Sequence, residues 1–125
     1  MSLMAMAVLI AAQSADTRPF FARAKLAGVA ATSVASCTRL GFTVDQDGLA
    51  KWIEATPTEG IYAGIDADVA SAFVHGAIKT EGDNMRALSD GAQTASDGGK
   101  RLVDFWQARC VSLTRNPETA AFFKL

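Results

Sequence analysis

Residues 17–41, TRPFFARAKLAGVAATSVASCTRLG, decide the fold class of this chain because they predict one long amphipathic helix. Pro19 suits the first turn of a helix, where its missing N–H would have no intrahelical acceptor. Gly41 is typical of the residue just past a helix end. Five residues recur at spacings of three and four, which places them on one face: Leu26, Val29, Ser33, Cys37 and Leu40. A helix is therefore predicted over residues 18–40.

The same segment is rich in small side chains, among them Ala27, Ala30 and Ala31. The distance between two packed helices depends on the size of the side chains at their contact. We therefore expect a neighbouring helix to approach this one closely.

Residues 43–46, TVDQ, have the form of a capping box and predict a helix from about residue 44 to residue 55. Its buried side would be Leu49, Trp52 and Ile53. Pro57 and Gly60 favour an end to the helix shortly afterwards. Residues 60–65, GIYAGI, fit either an extended connector or an irregular turn.

Asp66 is a candidate N-cap for a third helix over residues 67–88. Gly82 lies within its apolar face, where a glycine permits close packing at some cost in helix stability. Residues 89–99, SDGAQTASDGG, repeat Ser-Asp-Gly and contain three glycines, which predicts a loop, with a distorted helical turn as the alternative. The expected buried face of the third helix consists of Ala70, Phe73, Val74, Ala77, Ile78, Met85 and Leu88.

A fourth helix is predicted over residues 99–114, with one apolar face. Asn116 and Pro117 have the form of an N-cap and a first helical residue, so a short terminal helix that buries Phe122 or Phe123 should follow. The expected buried face of the fourth helix consists of Leu102, Val103, Trp106, Cys110 and Leu113.

These segments predict an all-α fold, a compact bundle of four to five helices. Half of the residues are apolar and a fifth are charged, which is typical of a globular protein. Residues 16–125 have the length of one domain, so we expect a single helical domain there. Residues 1–15 form a distinct apolar segment without a charged side chain.

The apolar run from Leu3 to Ala12 has two interpretations. Ten residues are too few to span a bilayer, which takes about 20. They suit the core of a signal peptide, with small residues after it at a cleavage site, although no Lys or Arg precedes the run. The alternative is a helix packed on the domain or on a second copy, which would make residues 3–12 a homodimer contact.

A signal remnant would make the protein periplasmic or secreted, in a bacterial setting. Contact with a membrane would then occur only through an uncleaved N-terminal segment.

Cys37 and Cys110 each fall in the apolar face of a predicted helix. Two helices that share a small core are expected to be neighbours, and export would favour oxidation. We therefore predict a disulfide between them. The alternative is a pair of reduced, buried cysteines that act as small hydrophobic residues.

The charged residues are distributed unevenly along the chain. Residues 16–39 carry four basic side chains against one acidic one, residues 40–99 three against ten, and residues 100–125 five against two. This pattern fits either basic terminal helices packed beside an acidic middle or a polarised surface for a charged partner. Lys and Arg do not cluster with interleaved aromatic residues, so nucleic-acid binding is not expected.

The usual catalytic and cofactor motifs are absent from the sequence. It contains no Gly-x-Ser-x-Gly, no Ser-x-x-Lys, no phosphate-binding loop and no Cys-x-x-Cys. His75 is the only histidine, at the polar edge of a predicted helix, where a solvated side chain is expected. No catalytic residue and no cofactor are therefore assigned.

Residues 43–54, TVDQDGLAKWIE, resemble an EF-hand loop, with Asp45 and Asp47 at the third and fifth ligand positions and Glu54 at the twelfth. Two departures weaken this resemblance. Thr43 stands where the first aspartate would be, and Lys51 brings a positive charge into the loop. The alternative is that these acids cap and polarise a helix start. Asp45, Asp47 and Glu54 are therefore a weak calcium candidate, and no metal site is assigned.

The sequence is most consistent with a small exported helical protein that acts by binding a protein partner, without catalysis. This expectation rests on fold-level analogy. The alternative is an enzyme or ligand carrier that uses an acidic cleft near Asp45, Asp47 and Glu54. A pocket lined by those carboxylates would favour the alternative.

Overall fold

A computed structural model describes residues 16–125 and contains four α-helices and two very short strands. In chain order the elements are α1 (Arg18–Arg39), β1 (Thr43–Val44), α2 (Gln46–Tyr62), α3 (Ala67–Thr94), α4 (Gly98–Arg115) and β2 (Phe123–Lys124). The predicted all-α bundle is confirmed, with four helices in the described part. The predictions of a signal remnant, a packed first helix or a dimer contact at residues 3–12 fall outside the described residues.

Helices α1 and α3 form the central pair and run in the same direction. Gly28 lies against Ala77, and one turn further along both helices Thr32 faces Gly82. A Cβ at residue 28 would come within 2.7 Å of the Ala77 carbonyl oxygen. The close approach expected for the small-residue face of α1 is therefore confirmed. It occurs at Gly28 and not at Gly82, where a Cβ would make only an ordinary contact of 3.9 Å.

The core consists of two clusters that lie at different heights along α1. Each contains residues from α1 and from at least one other helix, so both clusters hold the bundle together. The first surrounds the cysteines and comprises Ala30, Cys37, Phe42, Leu49, Cys110, Leu113 and Phe123. The second lies nearer the start of α1 and comprises Phe20, Ala24, Ala27, Ala70 and Val74.

Helix α2 begins with an acidic cap at Asp45, whose carboxylate accepts a hydrogen bond of 3.0 Å from the backbone N–H of Gly48. A Cβ at residue 48 would meet that carboxylate at 2.5 Å, so a larger residue there would require the Asp45 side chain to shift. The capping box predicted at Thr43 is wrong, because Thr43 and Val44 form β1 instead.

The predicted end of α2 near Pro57 is also wrong, since the helix continues to Tyr62 with the proline inside it. The reason lies in α1. The Arg23 guanidinium donates 3.0 Å hydrogen bonds to the Trp52 carbonyl, the Thr56 hydroxyl and the Glu59 carboxylate, which lie on both sides of Pro57. These tertiary contacts hold the helix through a residue that would interrupt it in isolation.

The loop predicted at residues 89–99 is mostly helix, because α3 continues to Thr94 and α4 starts at Gly98. The two Ser-Asp-Gly repeats differ in role. A Cβ at Gly91 would meet nothing, whereas a Cβ at Gly98 would overlap the carbonyl oxygen of Ala92. Glycine at residue 98 therefore lets α4 start in direct contact with the end of α3.

The short terminal helix predicted after Pro117 does not form. The Asn116 side chain does accept a hydrogen bond from the backbone N–H of Glu118, but the chain then turns and forms β2. Strand β2 pairs antiparallel with β1, with Val44 opposite Phe123. The side chain of Phe123 is fully buried in the cysteine cluster, which stabilises this extended ending over a helix.

Candidate functional site

The disulfide between Cys37 and Cys110 is the first element of the site, because it joins the last turn of α1 to α4. The predicted pairing is confirmed: the two Cα atoms lie 5.6 Å apart, and both residues are fully buried. Separations of this size are usual for protein disulfides. The link holds the end of α1 beside the middle of α4.

Helices α3 and α4 continue past the point where α1 ends. Arg39 and Leu40 lie beside Met85 and Ser89 of α3, and five residues of α3 remain beyond Ser89. At 1.5 Å per residue these extend about 7.5 Å further. The paired ends of α3 and α4 therefore stand above the end of α1 and leave an opening there.

We call this opening the α1–α4 cleft, and it has a volume of about 310 Å³. Its floor is apolar, and its polar lining groups are two serine hydroxyls, one guanidinium and the indole N–H of Trp106. The lining residues are Ser36, Arg39, Leu40, Met85, Ser89, Leu102, Val103 and Trp106. Cavities of this size fall at the lower end of the range for ligand sites.

Val103 is the clearest sign that the cleft is open. The sequence predicted it in the buried face of α4, yet 53% of its surface is exposed. Leu102 and Trp106 are half-buried beside it. Leu88, predicted in the buried face of α3, is also 37% exposed. Within residues 16–125, the apolar faces of α3 and α4 are thus longer than the helices that cover them.

A second cavity of about 450 Å³ lies on the opposite side of the same helix pair, and we call it the hairpin groove. Leu102 lines both cavities, so it separates them. Alanine and glycine line much of this groove, so it offers fewer large side chains for contact than the cleft does. Its lining residues are Ala87, Leu88, Gly91, Ala92, Ala95, Gly98, Arg101, Leu102 and Phe105.

A largely enclosed ion pair between Glu81 of α3 and Arg109 of α4 supports the cleft from below. The side chains are only 17% and 12% exposed. The Arg109 guanidinium also donates to the Met85 sulfur at 2.9 Å and lies 5.7 Å from the centre of the Trp106 ring. Arg109 therefore orients two lining residues of the cleft, Met85 and Trp106.

Neither Glu81 nor Arg109 was singled out from the sequence. Glu81 is followed by Gly82 in the predicted buried face of α3, and Arg109 directly precedes Cys110. A charged residue beside a buried position is common on helices, so the sequence held no signal that the two would meet. Arg109 Nε has no hydrogen-bond partner among residues 16–125.

The rim of the cleft carries a positive charge at Arg39. This side chain is exposed in the last turn of α1 and makes no ion pair with another of residues 16–125. A cation in the last turn also interacts favourably with the helix dipole. Arg39 thus remains available for a carboxylate from outside the chain.

A second group of exposed apolar side chains lies at the opposite end of the bundle, close to where residues 1–15 join α1. Phe21 is 38% exposed and Phe73 44%, and their ring centres are 4.7 Å apart. Other members of this group are Ile61, Tyr62 and Val69.

The acidic residues predicted from the EF-hand resemblance do not form such a loop. Asp45 caps α2, and Asp47 and Glu54 lie within the helix itself, all three exposed. The backbone from Gln46 onward is helical and does not follow the path of an EF-hand loop. None of the three carboxylates lines one of the four cavities described in this chain.

Among residues 16–125 no three His, Cys, Asp or Glu side chains lie close enough together to hold a metal ion. His75 is exposed on α3, as its position in the sequence predicted. Within the described range, no helix combines the length and the apolar character that crossing a membrane requires.

Comparison with protein-family models, with curated proteins and with solved structures gives no match to this chain. The fold and the site therefore define the class of this protein by themselves. Residues 16–125 form a four-helix domain with a disulfide between α1 and α4 and an open apolar cleft where α1 ends.

Proposed function

We propose that this protein is a small exported binding protein that recognises a protein partner through the α1–α4 cleft. The observation that carries the proposal is Val103, which is 53% exposed on the wall of a cleft of about 310 Å³. Exposed apolar surface of this kind is typical of interaction sites. Aromatic and methionine side chains, here Trp106 and Met85, are also enriched where proteins bind one another.

The chemistry of the lining favours binding over catalysis. The cleft contains two serine hydroxyls and a guanidinium, without a carboxylate or an imidazole among its lining residues. A serine nucleophile needs a base within hydrogen-bond reach. An apolar floor with a few polar groups at its rim is the usual composition of a recognition site.

Rigidity also supports a binding role. The buried disulfide holds α1 against α4, and the Glu81–Arg109 pair holds α3 against α4. All three walls of the cleft are therefore linked to one another. A preformed site loses less conformational entropy when its partner binds.

Export is proposed from the disulfide, since such bonds form and persist in oxidising compartments. The apolar run at residues 3–12 supports the same proposal, because its length suits the core of a signal peptide. The test is to fuse residues 1–20 to a reporter enzyme that is active only after export, with Leu9→Arg as the control that interrupts the run. Activity that depends on Leu9 supports export, and an inactive wild-type fusion contradicts it.

Partner binding is tested by selecting random peptides displayed on phage against the oxidised protein. The enriched peptides are then measured with Val103→Glu and with Val69→Glu, a matched change at a similarly exposed valine in the first turn of α3. We expect Val103→Glu to abolish binding and Val69→Glu to leave it unchanged. Failure to enrich any peptide, or loss of binding with Val69→Glu alone, would contradict the proposal.

A further inference from the structure

We propose that the partner segment bound in the α1–α4 cleft places a large apolar side chain on its floor and a carboxylate beside Arg39. This inference rests on the proposed function and adds the chemistry of the partner. It follows from three features of the cleft: its floor, its charge and its position above the end of α1.

The floor accepts an apolar group. Leu102, Val103 and Trp106 come from α4, and Leu40 and Met85 close the other two sides. Because Trp106 and Met85 are held from behind by the Arg109 guanidinium, they form a fixed surface. Apolar side chains that fill such desolvated pockets supply most of the affinity at protein interfaces.

The positive charge at the rim of the cleft favours a negatively charged group at that place in the partner. Arg39 lines the cleft and is exposed, without an ion-pair partner among residues 16–125. Lys100 lies three residues before Val103 on α4, which places it one turn away on the adjacent surface. It is also exposed and unpaired within the described residues.

Several other basic residues of the helices around the cleft are in ion pairs, whereas Lys25 of α1 and Arg115 of α4 have none within residues 16–125. Arg101 lies near Asp97, Arg86 near Asp83, and Arg109 pairs with Glu81. Asp104 directly follows Val103 on α4, but it does not line the cleft. Among the lining residues, a carboxylate brought by a partner therefore meets one basic side chain, Arg39, and no acid.

The N-terminal run of the chain does not have this chemistry. Residues 1–15 carry no charged side chain, so they offer no carboxylate to Arg39. Asp16 lies at the start of α1, and the 22 residues of α1 separate it from the cleft by about 33 Å. An occupant from outside the chain, with acidic residues beside its apolar anchor, fits both parts of the site.

The test uses peptides enriched against the wild-type protein, synthesised with a fluorescent label and measured by anisotropy. We expect an aspartate or glutamate within one helical turn of an apolar residue in the enriched set. Arg39→Glu should weaken their binding at least about tenfold, which corresponds to about 1.4 kcal/mol. Lys51→Glu is the matched control, since it makes the same charge change on the exposed surface of α2.

A charge exchange completes the test, because a peptide with lysine in place of the acid should bind Arg39→Glu better than it binds wild type. Peptides that depend on Val103 but show no acid preference and no response at Arg39 overturn this inference and leave the proposed function standing. Peptides that respond to neither residue overturn both. Self-association of the protein that Val103→Glu abolishes would show that a second copy occupies the cleft and would also overturn the inference.

Discussion

Gly28 in α1 lies against the backbone of Ala77 in α3, so closely that a Cβ at residue 28 would come within 2.7 Å of the Ala77 carbonyl oxygen. The contact joins the two central helices of the bundle and depends on the absence of a side chain. The core cluster that contains Phe20 lies toward the start of α1 from this contact, and the disulfide and the cleft lie toward its end.

The first prediction concerns this contact. Gly28→Ala should destabilise the protein by about 1–3 kcal/mol, because the added methyl group forces α1 and α3 apart. Gly76→Ala is the matched control, since nothing lies within 4 Å of a Cβ there and alanine favours the helix. Urea unfolding should show a loss for residue 28 and a small gain for residue 76. Equal behaviour of the two variants would contradict the packing described.

The second prediction concerns the disulfide. Oxidised protein should have no free thiol when denatured, because the Cys37–Cys110 bond is formed and the described chain has no other cysteine. Closing a loop between residues 73 positions apart stabilises by about 4 kcal/mol in the chain-entropy account. Reduction, or replacement of both cysteines by alanine, should lower the Tm by more than about 10 °C. Two titratable thiols in protein recovered from an oxidising compartment would show that the bond does not form.

The third prediction concerns the Glu81–Arg109 pair beneath the cleft. Arg109→Ala should cost about 1–3 kcal/mol, because it leaves the Glu81 carboxylate largely enclosed without its partner. The double change Glu81→Leu with Arg109→Leu should restore part of that loss, since no unpaired charge remains. Arg101→Ala serves as the control, and it should change stability by less than about 0.5 kcal/mol because its pair with Asp97 is exposed. An Arg109→Ala cost no larger than that of Arg101→Ala would contradict this account.

The fourth prediction concerns the acidic stretch at the start of α2. Millimolar calcium should leave the Tm unchanged, because Asp45 is used as a cap and Glu54 lies within the helix. Asp45→Ala should cost about 1 kcal/mol through loss of the hydrogen bond to Gly48, with or without calcium. A rise in Tm with calcium that Glu54→Gln removes would mean that the loop rearranges to bind the ion.

Local sequence signals were sufficient to predict approximately where a helix begins and on which helix face the two cysteines lie. The caps at Asp45 and Asp66 lie at or near the predicted starts, and the two cysteines fall in helix faces that do meet. They failed where a distant contact outweighs them. Pro57 does not end α2, because Arg23 binds on both sides of it. A separate failure is Gly91, which does not end α3 although nothing lies within 4 Å of a Cβ there.

The candidate site shows the same division. The sequence placed Trp106, Val103 and Leu102 on one face of a helix, which the structure confirms by their shared position in the cleft. It predicted that this face is buried, and that prediction is wrong for Val103. Periodicity shows which residues share a face, but it carries no information on whether another helix is long enough to cover that face.

By itself the sequence determined the all-α class and the approximate places of the four helices, because helix periodicity and caps act over a few residues. It also predicted the pairing of Cys37 with Cys110, since both lie in apolar helix faces of one small core, although reduced cysteines fitted the same pattern. Only the tertiary structure decided where α1 stops relative to α3 and α4, and so where the cleft opens. The Gly28–Ala77 contact, the disulfide and the Glu81–Arg109 pair set the relative positions of these helices. Those positions depend on interactions between residues that are distant in sequence. The cleft exists because, in the part of the chain that the structure describes, they leave the end of α3 and the start of α4 without a third helix beside them.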